Sequence, residues 1–467
     1  MRLRRILWGA LAVALLTAGF VLLRELRVAT GYAAKLMCSG VFVAGRPQES
    51  LLAEDLDWFW WVRPRADREQ RTASSSLLGL ARSTAVYREG LGCALAVGES
   101  IDALRAQGFD PGPAPDPAST PWPDGDLGVE AALPAPQRAA LDAAVAGAFG
   151  EPDPAVHRRT RAVLVLRSGR VVAERYAPGF DAKTPLLGWS MTKSVMATLI
   201  GIQVLRGRLD PAAPARVPGW DADSRAGIQL EHLLRMTSGL DFVERNGAWG
   251  DSAPMLFRSR SAAGYAAGSP LAHEPGTFWS YSSGTSNLLA GILRASLPAG
   301  VDYHRFPRGA LFDRIGMRSA VLETDAAGDF VGSSFCYATA RDWARFGLLH
   351  AQDGVWKDER LLPEGWVAFV RRPTPASPRG AYGAHWWLNA GSSGAPEDRP
   401  YPSLPPDLFY ASGYEGQFVV VLPSHDLIVV RLGQSEPEHA FDLEGFLRAV
   451  LDAFDASGAA AAARAAR

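Results

Sequence analysis

The stretch LLGWSMTKSVMATLIG, residues 186–201, sets a serine and a lysine three positions apart at the head of an apolar run. A serine hydroxyl is a weak nucleophile until a neighbouring base takes its proton. If the run is a helix, positions i and i+3 share a face, and Lys193 lies back over Ser190. The helix N-terminus favours negative charge, which helps an alkoxide at Ser190, and desolvation there depresses the pKa of a lysine. The chemistry such a pair would serve is acyl transfer through the serine. Serine is equally a preferred helix cap, and Ser-x-x-Lys spacings arise by chance. The pair alone therefore leaves two readings open, a nucleophile with its proton acceptor or a cap beside a surface lysine. Thr192 stands where a GxSxG elbow would need its last glycine, so that scheme is excluded. No HExxH run occurs and the eight histidines are scattered, so neither a metal nor a cofactor is expected.

The elements that must hold these residues can be read around them. VMATLIGIQVL is apolar nearly all round, the pattern of a buried helix, whose first turn then opens into the interior or a cleft. Residues 162–177 contain two β-rich runs joined at Ser168-Gly169, and residues 417–433 contain two more joined across 423–426, which predicts two hairpins. Helices are expected over 136–147 and 440–454. Strands at both ends with helices between them predict an α+β fold, an antiparallel sheet flanked by helices with an inserted helical region.

The chain has 467 residues, enough for one large domain or two smaller ones, with 48% apolar and 21% charged residues. A formal net charge of −1 argues against nucleic acid as a partner. Arg2, Arg4 and Arg5 precede eighteen uncharged residues, 6–23, long enough to span a membrane. With arginines on the starting side, this predicts a single-pass inner-membrane anchor and a periplasmic domain, or a cleaved signal that releases the domain into the periplasm. Cys38, Cys93 and Cys336 show no metal-ligand spacing; a Cys38–Cys93 bridge and three buried thiols are equally open. The expected organisation is an anchor or signal over 1–29, a small module over 30–110, a Pro-rich linker over 111–130, a catalytic domain over 131–456 and a disordered tail over 457–467.

Downstream of Lys193, several blocks follow in order: HLLRMTSGLDF (232–242), EPGTFWSYSSGTSNLLAGIL (274–293), ATARDWARFGLL (338–349), LPEGWV (362–367) and YASGYEGQFVVVLP (410–423). With WSMTK these resemble the serine β-lactamase-related hydrolases, specifically the branch of class C β-lactamases, esterases and nylon-oligomer hydrolases. The resemblance runs from about residue 155 to 435.

The resemblance implies that Ser190 is acylated, that Lys193 holds or accepts its proton, and that Tyr281, opening the Tyr-x-Asn block, is a general base. A tyrosine of ordinary pKa is a poor base at neutral pH, so the Lys193 charge would have to stabilise its phenolate or relay the proton. It also implies an oxyanion hole from the N–H groups of Ser190 and Tyr414, after Ala411-Ser412-Gly413. Two positions depart from the pattern. Ser283 stands where the block has asparagine to grip a substrate amide, and Ala411 stands where β-lactamases carry a lysine for the β-lactam carboxylate. The expected activity is hydrolysis of small esters or amides through an acyl-enzyme. A peptidoglycan DD-peptidase or β-lactamase and a non-catalytic penicillin-recognising envelope protein are the alternatives. The expected partners are a small ester or amide substrate and, through the N-terminal segment, the inner membrane.

Overall fold

The computed structural model describes residues 2–113, 115–153, 155–245 and 250–465, and the chain divides into two compact units. The first unit comprises Met1–Asp110, Phe242–Ala266 and Glu323–Asp329. Its sheet is antiparallel, in the order β1 (Arg65–Asp67), β2 (Thr72–Leu77), β3 (Leu80–Arg88) and β4 (Gly92–Leu95). A helix over Arg2–Phe42 supplies the other layer, burying Ala33, Ala34, Met37 and Val41. The Thr30 hydroxyl donates to the Ala81 carbonyl at 2.7 Å, fixing this helix on β3. Cys38 and Cys93 form a disulfide between the helix and β4, while Cys336, in the other unit, is a buried thiol. Beneath the bridge lies a buried ion pair, Lys35 with Glu323. Glu323 also accepts from the Ser39 hydroxyl at 2.9 Å and the Cys93 N–H at 2.6 Å. Arg88 reaches the Thr324 carbonyl at 2.9 Å, so residues far apart in sequence complete one core.

The expected single-pass anchor is overturned by this unit. Among the described residues no helix is long and apolar enough to cross a membrane. The helix that begins at Arg2 does not end with the apolar run. It continues through Arg24, Glu25 and Arg27 to Phe42, and its later half buries Thr30, Lys35 and Ser39 inside a folded core. Most side chains of residues 6–23 lie outside the described residues. The inner-membrane partner and the single-pass inner-membrane placement fall with the anchor.

The second unit comprises Pro111–Asp241, Ala267–Leu322 and Phe330–Arg467. Its hairpin of β5 (Thr160–Arg167) and β6 (Arg170–Tyr176) turns at Ser168 and Gly169, both with positive φ (47° and 73°), the backbone a two-residue turn needs. Three short strands, β7 (Leu186–Leu187), β8 (Val321–Leu322) and β9 (Cys336–Ala338), form a small sheet in the order β7-β9-β8, and β10 (Val355–Trp356) pairs with β11 (Glu359–Arg360). The chain then adds β12 (Trp387–Leu388), β13 (Phe409–Gly413), β14 (Gln417–Leu422) and β15 (Leu427–Gly433) to the first hairpin. Among the described residues the resulting antiparallel sheet has six strands in the order β12-β13-β14-β15-β5-β6.

The register explains the layers. β15 pairs with β5 so that Val429 lies opposite Val165 and Arg431 opposite Val163. Alternate residues face opposite sides of a sheet. Val163, Val165, Val420 and Val429 meet Leu141, Val145, Leu447 and Val450 from the helices Ala135–Gly147 and Leu443–Ala465. Against the other face lies the helix Ala340–Ala351, where a Cβ on Gly347 would approach Ile428 to 2.8 Å and Val419 to 3.0 Å. The architecture is the α+β arrangement that the sequence predicts. Residues 466–467 of the expected tail lie outside the described residues, as does residue 114 of the Pro-rich stretch. That stretch is pinned to the second unit by Trp122, which donates to the Gly169 carbonyl at 2.8 Å.

Candidate active site

Ser190 immediately precedes the helix Met191–Leu205, of which thirteen residues, Met191 to Gln203, are buried. Its hydroxyl makes no capping bond to the helix, and Lys193 is only 2% exposed. Neither the cap nor the surface-lysine reading therefore describes this pair. Lys193 Nζ instead lies 3.0 Å from Ser190 Oγ, 3.0 Å from Ser283 Oγ and 3.0 Å from the Ser333 carbonyl. Three hydrogen-bond partners around one ammonium match its three donors. The residue before the serine, Trp189, has φ +47°, a left-handed backbone that a bulky side chain rarely adopts. Strain of this kind persists only where the surroundings fix it, and here it presents Ser190 at the head of the helix.

Ser283 begins the helix Ser283–Ser296, which is capped by Ser282 accepting from the Thr285 N–H at 3.1 Å. One turn on, Asn287 Nδ2 donates to the Ser283 carbonyl and to Ser333 Oγ, each at 3.1 Å, and so fixes two of the groups around the lysine. Tyr281 presents its ring to Lys193, with Nζ 4.9 Å from the centroid. That ring packs edge-on against Tyr382, at 5.9 Å, and at a tilt of 33° against Trp387, at 5.5 Å. A cation near an aromatic face is attracted by the ring quadrupole.

The other side of Ser190 is the end of β13. A Cβ on Gly413 would sit 2.1 Å from the Gly188 carbonyl oxygen, so only glycine allows this approach. Tyr414 is 40% exposed and packs perpendicular to Trp189 at 5.6 Å. The Trp189 indole donates to Glu415 Oε2 at 3.1 Å. Gly413 and Tyr414 are thus brought against Gly188 and Trp189, the two residues before Ser190, and Ser412 precedes them on β13. Ala411 is 1% exposed and adds no charge.

Beneath the lysine lies His385, 2% exposed. Its Nδ1 bonds the Leu234 carbonyl at 2.7 Å and its Nε2 the Ser286 hydroxyl at 2.9 Å, which makes Nδ1 the protonated nitrogen. Burial, with the neighbouring Lys193 charge a smaller contribution, pushes its pKa down to about 3. It is a neutral spacer between helices.

The family model for Beta-lactamase matches residues 140–453, two thirds of the chain. The chain belongs to the Beta-lactamase family. It is 27% identical over 300 residues to the 6-aminohexanoate-dimer hydrolase of Paenarthrobacter ureafaciens, covering 58% of this chain and 72% of that protein. Among solved structures, a family VIII carboxylesterase matches with a TM-score of 0.54 at 15% identity, covering 69% of this chain and 99% of that one. A putative 6-aminohexanoate-dimer hydrolase from Bacillus anthracis matches with a TM-score of 0.50 at 20% identity, over 64% and 78% of the two chains. These structural likenesses speak to the fold. As a member of the Beta-lactamase family the chain is a serine β-lactamase-like hydrolase.

Within this Beta-lactamase-family site, sequence reasoning missed Ser333, Asn287 and His385. Ser333 contributes a main-chain carbonyl, which no residue type announces. Asn287 carried a signal, since it stands four positions after Ser283 on an apolar helix. His385 sits between Ala384 and Trp386 with no motif around it.

Proposed function

We propose that the protein hydrolyses small esters or amides through an acyl-enzyme on Ser190. The observation that carries this reading is the buried Lys193 ammonium, 2% exposed, at 3.0 Å from both Ser190 Oγ and Ser283 Oγ. In the proposed cycle Ser190 Oγ attacks the substrate carbonyl carbon, and Lys193 relays the proton, taking it from Ser190 as it gives one of its own to the Tyr281 phenolate that its charge stabilises. The tetrahedral oxyanion is met by the N–H groups of Ser190 and Tyr414, donors of a kind worth roughly 2.7–4 kcal/mol each in the transition state. Collapse expels the alcohol or amine, which takes the proton back. Water, deprotonated by the same groups, then attacks the Ser190 ester and regenerates the enzyme.

The sequence relative is named a 6-aminohexanoate-dimer hydrolase, and a protein of the same fold is named a carboxylesterase. Ala411, buried and apolar, offers nothing to the carboxylate of a β-lactam. Small neutral acyl donors are therefore the better substrates. The test is hydrolysis of p-nitrophenyl butyrate and of a short-chain p-nitroanilide by wild type and Ser190→Ala. Loss of both activities in a folded Ser190→Ala protein is expected; activity at the wild-type rate would reject the proposal.

A further inference from the structure

Arginine has no acceptor and carries its five N–H donors in a planar fork. A buried arginine usually faces a carboxylate, because an unpaired charge out of water is costly. Arg431, on β15, is 0% exposed and, among the described residues, makes no ion pair. Its donors go to main-chain carbonyls and hydroxyls. Nη1 donates to the carbonyls of Glu415, at 3.1 Å, and Gly416, at 2.7 Å. Nη2 donates to the Arg158 carbonyl, to Thr160 Oγ1 at 2.9 Å and to Ser435 Oγ at 3.0 Å, and Nε donates to Thr160 Oγ1 at 3.2 Å. The guanidinium lies over the Phe441 ring at 4.4 Å.

Two of those carbonyls belong to the turn of 414–416 between β13 and β14. The turn is strained, with φ +64° at Glu415 and +78° at Gly416. The third carbonyl, of Tyr414, accepts from Gln417 Nε2 at 3.0 Å. Every carbonyl of this turn is therefore held from beneath by a buried side chain, while Trp189 holds the Glu415 carboxylate from the side of Ser190. The backbone makes room for the guanidinium: a Cβ on Gly416 would lie 2.7 Å from Nη1, and one on Gly433 2.5 Å from Cζ.

Resting on the acyl-enzyme reading above, we propose that Arg431 is a positioning residue, clamping the 414–416 turn so that the Tyr414 N–H points at the oxyanion formed on Ser190. Oxyanion donors work because they are fixed before charge develops. A turn in a left-handed conformation relaxes unless its carbonyls are tied, and relaxation would redirect the N–H. The substrate does not touch Arg431, so ground-state binding should be little affected.

The test compares wild type, Arg431→Met and Arg431→Lys on p-nitrophenyl butyrate, with inhibition by phenylboronic acid, which forms a tetrahedral adduct on an active serine. Loosening rather than deleting a donor predicts a fall in kcat of about 10- to 100-fold in Arg431→Met with KM nearly unchanged. The boronate Ki should rise by the factor by which kcat/KM falls. Arg431→Lys, which keeps the charge and loses the fork, should fall between, and it decides the matter if Arg431→Met does not fold. A folded variant with kcat and boronate Ki near wild type, or a loss confined to KM, would overturn the inference. Ser190-dependent wild-type activity beside indifferent Arg431 variants rejects this inference alone. Hydrolysis that does not need Ser190 rejects the acyl-enzyme reading and takes this one with it.

Discussion

Lys193→Met separates a catalytic lysine from a structural one, because the two roles predict opposite patterns of stability and rate. The substitution keeps the length of the side chain and removes its charge. Lost with the ammonium are three hydrogen bonds at 3.0 Å, to Ser190, Ser283 and the Ser333 carbonyl. Bonds to a charged group contribute roughly 1.5–3 kcal/mol each. Against this, a side chain 2% exposed no longer holds a charge out of water, a penalty of several kcal/mol in real proteins. The hydroxyls of Ser190 and Ser283 can rotate to new partners, which leaves the Ser333 carbonyl as the main loss, about 1–3 kcal/mol. Net stability should stay within about 2 kcal/mol of wild type. The rate should not: positioned proton transfer contributes about 10²- to 10⁴-fold, or roughly 2.7–5.5 kcal/mol of barrier. Guanidinium melts and kcat/KM on p-nitrophenyl butyrate, measured on the same preparations, give both numbers. A folded Lys193→Met protein within about threefold of the wild-type rate would refute the reasoning. So would a rate loss accompanied by a stability loss of about 4 kcal/mol or more, the mark of a purely structural ion.

Three further outcomes are expected. Gly413→Ala would bring a Cβ to 2.1 Å from the Gly188 carbonyl oxygen, and the backbones must part by about 1 Å to relieve it; a displacement of that size next to Ser190 should cost about 10²-fold in kcat, read by steady-state kinetics on a soluble ester. Nitrocefin should be turned over far more slowly than p-nitrophenyl butyrate, because no cation at Ala411 meets its carboxylate, and a charge-assisted bond of that kind is worth roughly 1.5–3 kcal/mol, about tenfold or more in kcat/KM. The histidines make the protein acid-labile: His385 and His350 are pushed by burial to about 3 and about 4, so the unfolded chain binds protons that the folded one refuses. Their contribution is complete above the ordinary histidine pKa of about 6.5 and is lost as pH falls towards the folded values. His385→Asn should flatten the stability loss between about pH 6.5 and pH 4 by roughly 3 kcal/mol, measured by denaturant melts across that range.

Local signals carried the parts of this structure that depend on neighbours in sequence. Ser168-Gly169 announces its turn because glycine takes positive φ freely and a Ser-Gly pair marks a turn, and the all-apolar run after Lys193 announces a buried helix. Ser190, Lys193 and Ser283 were legible as motif positions, and the structure brings them within one hydrogen-bonded group. The N-terminal helix was misread because hydropathy counts apolar residues without asking what the rest of the element packs on. Its later half is buried by a sheet and by Glu323, nearly three hundred residues away, which no window along the sequence can see. His385 and Arg431 escaped for a related reason. Each acts through main-chain carbonyls, of Leu234 for the histidine and of Glu415 and Gly416 for the arginine, and carbonyls carry no residue identity.

The central claim is a covalent intermediate on one named serine. Intact-mass spectrometry after a brief exposure of the wild-type protein to p-nitrophenyl butyrate, quenched in acid and followed by peptide mapping, tests it directly. The expected result is a single butyryl adduct on the peptide that contains Ser190 and none in Ser190→Ala. An adduct on another residue, or turnover with no adduct at any quench time and undiminished activity in Ser190→Ala, would contradict it.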